Sequence, residues 1–166
     1  MFSKVLVCED IDSINIGLTK TLSDAFSFQM DAAKYGEKAL LMVKKALLDG
    51  EPYDLLITDL SFNNHVDNTQ IPDGESLIEE VKALQPDLKS IIYSIEDRPH
   101  KIRRYLDSLK VDAYVLKGRE SAFQMVEAIQ ALDEGECYLS PELSELLQVS
   151  SSMEIDEYDL LLMTSL

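Results

Sequence analysis

The chain has 166 residues, 46% of them hydrophobic, and a formal net charge of −16. This length suits a single domain with its own hydrophobic core, and the apolar fraction is that of an ordinary globular protein. The charge is unevenly distributed, since eleven acidic residues and no Lys or Arg follow Arg119. The last third of the chain therefore cannot supply the positive surface that nucleic-acid binding requires.

The cysteines and the N-terminus bear on the cellular compartment. Cys8 lies inside the apolar run VLVC and Cys137 is far from it in the sequence, a pattern typical of reduced thiols in a cytosolic protein. The first residues, MFSKVLVCED, lack the long apolar stretch of a signal peptide. No apolar run approaches the roughly 18 residues of a membrane helix. We therefore expect a cytoplasmic protein without membrane association.

Five short apolar runs alternate with segments of helical periodicity. Runs rich in Val, Ile and Tyr favour strands buried on both faces of a parallel sheet. They lie at residues 4–8, 28–33, 54–59, 90–94 and 113–117. After each strand, apolar residues recur at helical spacing. The order predicts a (βα)5 fold: a doubly wound, five-stranded parallel α/β sheet of flavodoxin-like type, with helices on both faces.

Polar residues and helix breakers predict where the helices begin and end. Ser13 is a predicted N-cap, and Ser121 with Gln124 has the spacing of a capping box. The remaining boundary signals are formed by Asp, Gly or Pro, and they are Asp49-Gly50, Asp73-Gly74, Pro86, Pro99 and Gly135.

Polar residues also follow four of the five predicted strands: Glu9-Asp10, Asp59, Ser94 and Lys117. The carboxyl ends of parallel strands share one edge of the sheet, where ligands bind. Clustered carboxylates repel by about 4 kcal/mol per pair at an effective dielectric near 20, so a cation must offset them. Oxygen ligands suit Mg²⁺, and Lys117 adds a positive charge. A cation and a Lys opposite a carboxylate are what phosphoryl transfer requires.

Other kinds of site fit the sequence poorly. It contains no P-loop and no G-x-S-x-G nucleophile elbow. His65 and His100 lack metal-ligand spacing with the cysteines. The run from Asp59 to Gln70 spaces its oxygens like an EF-hand loop, but it has Asn64 where that loop needs Gly, and it follows a strand.

These residues resemble the receiver domain of two-component response regulators. The similarity covers residues 4 to about 135, in the stretches VLVCEDIDS, DLLITDLS, IPDGESLIEEVK, IIYSI and DAYVLKG. It implies that Asp59 is the phosphoacceptor for a histidine kinase or a phosphotransfer protein. It also implies a Mg²⁺ site formed by Glu9, Asp10, Asp59 and the backbone carbonyl of Ser61.

The same resemblance assigns the remaining site residues. Lys117 and Ser94 are expected to contact the phosphoryl group. Ser94 and Tyr114 are expected to form the switch, in which a moving hydroxyl and an aromatic ring bias the face formed by the fourth helix, the fifth strand and the fifth helix. Such a domain is a signalling phosphoacceptor rather than an enzyme.

The C-terminal part looks like regulators that join a receiver to a LuxR-type helix-turn-helix domain. We predict a receiver at residues 1–136, a linker at 137–153 and, at 154–166, a fragment of the first helix of a DNA-binding domain in an apparently truncated chain. DNA would then be bound only through the missing domain, and a phosphorylation-dependent homodimer is expected. Two alternatives stay open: output through protein–protein contacts of the acidic C-terminal segment, or a Mg²⁺-dependent phosphatase with Asp59 as nucleophile.

Three features depart from the usual receiver pattern. The loop from Asp59 to Pro72 is about seven residues longer, and we expect its residues 61–70 to form a mobile insertion with His65 and Asp67 as bystanders. Lys110 stands where Gly is frequent before the fifth strand, at an expected cost of about 1 kcal/mol. The first acid of the pair is Glu9 rather than Asp.

Overall fold

The computed structural model describes residues 1–62 and 69–150 of the chain. The elements of its alternating fold are β1 (Lys4–Cys8), α1 (Asp12–Ala25), β2 (Gln29–Ala33), α2 (Gly36–Leu48), β3 (Leu55–Thr58), α3 (Gly74–Leu84), β4 (Lys89–Ser94), α4 (Pro99–Asp107), β5 (Ala113–Leu116), α5 (Ser121–Asp133) and β6 (Tyr138–Leu139). A last helix, α6, occupies residues 141–150. Within these ranges no helix is both long and apolar enough to cross a membrane.

The strands form one parallel sheet in the order β2-β1-β3-β4-β5-β6. The direction in which strands are added reverses at β1, which is the switch point of a doubly wound fold. The predicted α/β class and its five strands are confirmed, with bounds within one residue of those expected. The structure adds β6, a two-residue strand on the outer edge of β5.

Alternate residues of each strand pack against opposite layers of helices. In β1, Leu6 and Cys8 belong to one apolar cluster, which α2, α3 and α4 complete. Val5 and Val7 belong to the other, which α1 and α5 complete. Because both faces are covered, the central strands consist largely of apolar residues, and this pattern predicted them from the sequence. Both cysteines are free, as expected, and burial raises the pKa of Cys8 to about 12.

The predicted helix boundaries are confirmed where Gly, Pro or Asp forms them. Asp73 caps α3 through a 2.8 Å hydrogen bond from the backbone N–H of Ser76. Pro99 begins α4, and both Gly50 and Gly135 have the positive φ that ends a helix.

The two predicted side-chain caps are wrong. Helix α1 begins at Asp12, and its N-cap residue Ile11 makes no side-chain capping bond, so Ser13 lies inside the helix. Ser121 is the first residue of α5 rather than its cap. Its hydroxyl lies 2.9 Å from the Tyr93 hydroxyl and donates to the Gly118 carbonyl at 2.8 Å. The Ser121 hydroxyl is therefore hydrogen-bonded to residues outside α5 and does not cap the helix.

Lys110 adopts the left-handed conformation usually reserved for Gly, with φ of 56°. The Lys82 ammonium group donates to the carbonyls of Leu109 and Lys110. These bonds stabilise the turn after α4 but leave the unfavourable backbone angle of Lys110 in place.

Residues 137–150, predicted to be most of a linker, contain β6 and α6. Ser140 precedes α6 and Pro141 is its first helical residue, an arrangement that favours helix initiation. The predicted helix fragment at 154–166 lies outside the described residues, and the division of the chain into domains stays a prediction.

Candidate functional site: the carboxyl edge of the sheet

Three acidic side chains converge where β1 and β3 end. Glu9 and Asp10 follow β1, and Asp59 follows β3, its neighbour in the sheet. Each residue offers a carboxylate oxygen that lies within 4.8 Å of the other two. Glu9 and Asp59 are buried and Asp10 is half-buried. The register of the parallel strands thus brings together the three acids that the sequence placed at strand ends.

Lys117, at the end of β5, bridges two of these acids. Its ammonium nitrogen lies 2.8 Å from Glu9 Oε2 and 2.9 Å from Asp59 Oδ2. The lysine side chain is only 12% exposed. Lys117 is the member that this buried triad cannot lose, because removing it would leave the Glu9 and Asp59 carboxylates uncompensated.

Burial and hydrogen bonding shift the pKa values of Glu9 and Lys117. Burial raises the pKa of Glu9, although its bonds to Lys117 act in the opposite direction. Burial would lower the pKa of Lys117, but the hydrogen bonds to Asp59 and Glu9 outweigh it and raise that pKa. With all groups ionised, three carboxylates and one ammonium group leave a formal charge of −2 at this edge.

The carboxylate of Asp59 is held by its own loop. Its Oδ1 accepts a 2.7 Å hydrogen bond from the Leu60 backbone N–H, while Oδ2 accepts from Lys117. The backbone N–H of Asp59 donates to the Cys8 carbonyl at 3.1 Å, and the Thr58 hydroxyl donates to the Asp59 carbonyl at 2.8 Å. Both side-chain oxygens are therefore oriented, and each retains a lone pair for a further ligand.

Gly74 lies directly behind this loop. A Cβ atom on Gly74 would fall 1.9 Å from the carbonyl oxygen of Asp59 and 3.0 Å from the Cα of Leu60. The Gly74 backbone N–H donates to the Leu60 carbonyl at 2.9 Å. The start of α3 thus presses against the backbone that carries Asp59, and only glycine fits there.

Ser94 and Tyr114 are joined through the backbone of Glu96. The Ser94 hydroxyl accepts a 3.1 Å hydrogen bond from the Glu96 N–H, and the Tyr114 hydroxyl donates to the Glu96 carbonyl at 2.7 Å. Tyr114 is fully buried, so its ring points inward, and it stacks on Tyr105 at a centroid distance of 6.4 Å. Burial raises the pKa of the Tyr114 hydroxyl.

An open, polar cleft of about 470 Å³ lies beside Asp59, between the loops after β3 and β4. Its positive charges come from α4 and its N-cap residue, and they are paired with acids: Arg98 and Lys101 with Glu96, and Arg104 with Glu75. Hydrogen bonds from Arg98, and then Lys101, lower the pKa of Glu96 to about 2. Arg98, Lys101 and Arg104 therefore form an ion-paired rim of this cleft.

The ends of the long loop after β3 are anchored, contrary to the expectation of a mobile insertion throughout. Ser61 forms a backbone bridge with Asp73. Phe62 and Ile71 are buried in the core, and the Gln70 N–H donates to Glu37 Oε1 at 3.1 Å. His65 and Asp67 lie outside the described residues.

The fold and this acidic edge are similar to those of receiver domains of response regulators. The chain is 26% identical over 150 residues to the response regulator GacA of Pseudomonas aeruginosa. The aligned region covers 89% of this chain and 63% of GacA. No protein-family model matches the chain.

Solved structures of receivers have the same architecture. The non-phosphorylated receiver domain of the stress response regulator RcsB from Escherichia coli is 25% identical, with a TM-score of 0.67 over 83% of this chain and 98% of that one. A structure of two RcsB dimers bound to two parallel DNAs is also 25% identical, with a TM-score of 0.73 over 88% of this chain and 68% of that one. The chain thus spans about two thirds of the length of GacA and of this RcsB chain.

Proposed function

We propose that this chain is a phosphorylation-controlled receiver whose phosphoacceptor is Asp59. The observation that carries the proposal is the buried bridge from Lys117 to the carboxylates of Asp59 and Glu9, with Asp10 alongside. A lone surface acid has no such surroundings. The arrangement provides a nucleophilic oxygen, a cation opposite it and two further acids within reach of one metal ion.

The proposed reaction transfers a phosphoryl group from a phosphohistidine of a sensor kinase or phosphotransfer protein. A carboxylate oxygen of Asp59 forms the new P–O bond as the P–N bond breaks, and the imidazole leaves with the electron pair. Lys117 offsets charge on the phosphoryl oxygens, and the Ser94 hydroxyl donates a hydrogen bond to one of them. Both act by positioning and by charge neutralisation.

The donor set fits Mg²⁺, a hard cation that prefers oxygen ligands and keeps several waters. Glu9, Asp10 and Asp59 would hold the ion, together with the Ser61 backbone carbonyl. When bound, the ion neutralises negative charge on the transferring group. The formal charge of −2 at this edge gives it an electrostatic reason to bind there.

We further propose that phosphorylation is read out through the α4–β5–α5 face, with Ser94 and Tyr114 as the switch, and that the output is transcription regulation. The similarity to GacA and to DNA-bound RcsB dimers supports DNA binding through a helix-turn-helix domain, and a homodimer, in a longer protein. The acidic residues after Arg119 leave no basic surface for DNA there.

The test of the acceptor is phosphorylation by phosphoramidate with Mg²⁺, followed by intact-mass measurement. Wild type should gain one alkali-labile phosphoryl group, and Asp59→Asn should gain none. Asp97→Asn, an exposed acid in the loop after β4, is the matched control and should be phosphorylated like wild type. Equal uptake by Asp59→Asn would overturn the assignment.

The metal site is tested by calorimetric titration with Mg²⁺ alone. Asp10→Asn should bind Mg²⁺ at least about tenfold more weakly, since losing one carboxylate from a metal site costs more than about 1.4 kcal/mol. Asp97→Asn again serves as the control. An unchanged titration for Asp10→Asn would rule out the acidic edge as the Mg²⁺ site.

A further inference from the structure

Residues 137–150, here named the C-terminal arm, extend the sheet beyond β5. The Tyr138 N–H donates to the Asp112 carbonyl at 3.2 Å, and the Ser140 N–H donates to the Tyr114 carbonyl at 3.0 Å. These bonds make β6 parallel to β5. The outer edge of β5, which would otherwise present unpaired backbone groups, is thereby closed by the chain itself.

Ser140 joins the arm to both β5 and α5. It is fully buried, and its hydroxyl accepts a 2.8 Å hydrogen bond from the Leu116 N–H while donating to Gln124 Oε1 at 2.8 Å. The Gln124 amide nitrogen in turn lies 3.2 Å from Glu142 in α6. Hydrogen bonds thus connect the Ser140 hydroxyl to β5 and α5, and α5 in turn to α6.

Helix α6 continues the contact onto α4. Leu143 is fully buried in the apolar cluster that also contains Tyr105 and Tyr114. The Arg103 guanidinium donates to the Leu147 carbonyl at 2.9 Å. The arm therefore rests on α4, β5 and α5 at once, which is the face through which the proposed function sends its signal.

The residues that hold the arm are neighbours of the residues that would sense phosphorylation. Leu116, whose N–H binds Ser140, directly precedes Lys117 in the chain. Tyr114 holds the Ser140 N–H with its carbonyl, while its hydroxyl is bonded to the Glu96 carbonyl. A shift of the backbone after Ser94, or of the Tyr114 ring, therefore disturbs the seat of the arm.

We propose that the C-terminal arm is a cis-acting latch on the α4–β5–α5 face and that phosphorylation of Asp59 weakens its docking. This inference rests on the proposed function, because it takes phosphorylated Asp59 as the stimulus. Release of the arm exposes the β5 edge and the Leu143 site. The arm is thus the element that carries the signal from the receiver to what lies beyond it.

The test is amide hydrogen exchange of the full 166-residue chain, with and without beryllofluoride and Mg²⁺. The amides of Leu116, Tyr138 and Ser140 report on the arm, since each donates to or across it. Allosteric couplings are typically about 5- to 150-fold, so these amides should exchange faster by a factor in that range. The Val7 amide, in the central strand β1, should not exchange faster, because ligand binding can only stabilise the core against global unfolding. Unchanged exchange at all three arm amides in beryllofluoride-bound protein would overturn the latch.

Linkage gives a second readout that loss of packing alone does not produce. If the phosphorylated state loosens the arm, then a looser arm must favour that state by the same factor. Ser140→Ala and Leu143→Ala should therefore lower the beryllofluoride concentration at half-saturation, again by about 5-fold or more. Leu146→Ala, the same substitution at a 40% exposed position of α6, is the matched control and should leave it unchanged. Equal half-saturation in all four proteins would refute the coupling.

The two proposals fail separately. Absence of phosphoryl uptake by Asp59 in the phosphoramidate assay would overturn the proposed function. Normal uptake together with an unresponsive arm would overturn only the latch.

Discussion

Replacing Gly74 by Ala tests whether the start of α3 positions the phosphoacceptor. The new Cβ would lie 1.9 Å from the Asp59 carbonyl oxygen, where an ordinary contact needs about 3.5 Å. The obstacle is backbone, which cannot rotate away as a side chain can. The loop that carries Asp59, or the first turn of α3, must therefore move by about 1.5 Å.

The energetic and catalytic magnitudes follow from that displacement. Overpacking of a core site costs about 1–3 kcal/mol, and a clash between two backbone segments belongs at the upper end, about 3 kcal/mol. The usual gain from replacing Gly by Ala, about 0.4–1 kcal/mol through the unfolded state, is too small to compensate. A misplacement on the order of 1 Å in a reacting group costs about 100-fold in rate, so phosphorylation of Asp59 should slow by that order.

Gly17 provides the matched control. It lies on the exposed surface of α1, and a Cβ there would meet no atom within 4 Å. Gly17→Ala should therefore stabilise the protein by about 0.4–1 kcal/mol, so the same substitution has opposite signs at the two sites. Urea unfolding followed by circular dichroism measures both free energies, and phosphoramidate uptake measures the rate. A Gly74→Ala protein with wild-type stability and wild-type uptake would refute the reasoning.

Three further substitutions have definite expected signs in urea unfolding. Lys110→Gly should stabilise by about 0.5 kcal/mol, since relief of the left-handed backbone slightly exceeds the added freedom of the unfolded chain; Lys110→Ala, which keeps a Cβ, should not. Glu96→Gln should cost about 1 kcal/mol at pH 7, discounted because Arg98 is 59% exposed. Because the folded pKa of Glu96 is lowered, that cost should fade as pH drops from about 4.5 to about 2, and a constant cost would contradict the ion-pair explanation. Glu9→Gln without Mg²⁺ should raise the free energy of unfolding at neutral pH. Because the folded pKa of Glu9 is raised, the gain should vanish below about pH 4.5 and grow as pH rises through the folded pKa.

The strands and the acidic edge could be predicted because each leaves a local mark on the sequence. A strand covered on both faces is a short continuous apolar run, and β1 and β3 are of this kind. The chain then emerges at the edge of the sheet, so the first polar residues after the run, such as Asp59, lie at the site. Parallel pairing in register brings these residues together without further information.

The C-terminal arm escaped prediction because its stability comes from distant partners. β6 has only two residues, too few for a periodic pattern, and the polar composition of SPELSELLQVSSS is typical of a linker. The available signals were Ser140-Pro141, a common helix start, and leucines spaced three and four residues apart, beginning at Leu143. The arm is held by hydrogen bonds of the Ser140 hydroxyl to Leu116 and Gln124. These residues are far from Ser140 in the sequence, so no short stretch of sequence predicts the contacts.

The predicted Ser121 cap was wrong because a residue far away in the sequence binds its hydroxyl. The Ser121 pattern is local and correct for an isolated helix, but its hydroxyl binds Tyr93 of β4 instead. A buried hydroxyl pair leaves neither oxygen without a partner, whereas a cap on α5 would have left the Tyr93 hydroxyl unmatched at a cost of about 1–3 kcal/mol. Tertiary satisfaction therefore outweighs a capping bond of about 1 kcal/mol.

The short strand β5 links the acidic edge to the arm. At its carboxyl end Lys117 reaches Glu9 and Asp59, and its backbone N–H donates to the Ser94 carbonyl at 2.9 Å. Along its outer edge the preceding residue, Leu116, is held by Ser140. A strand has few internal degrees of freedom, so a new anion on Asp59 that pulls on Lys117 cannot leave the neighbouring peptide untouched. The Ser140 hydroxyl is buried and hydrogen-bonded to the Leu116 N–H. The Leu116 peptide can therefore move only if Ser140 moves with it or this hydrogen bond breaks.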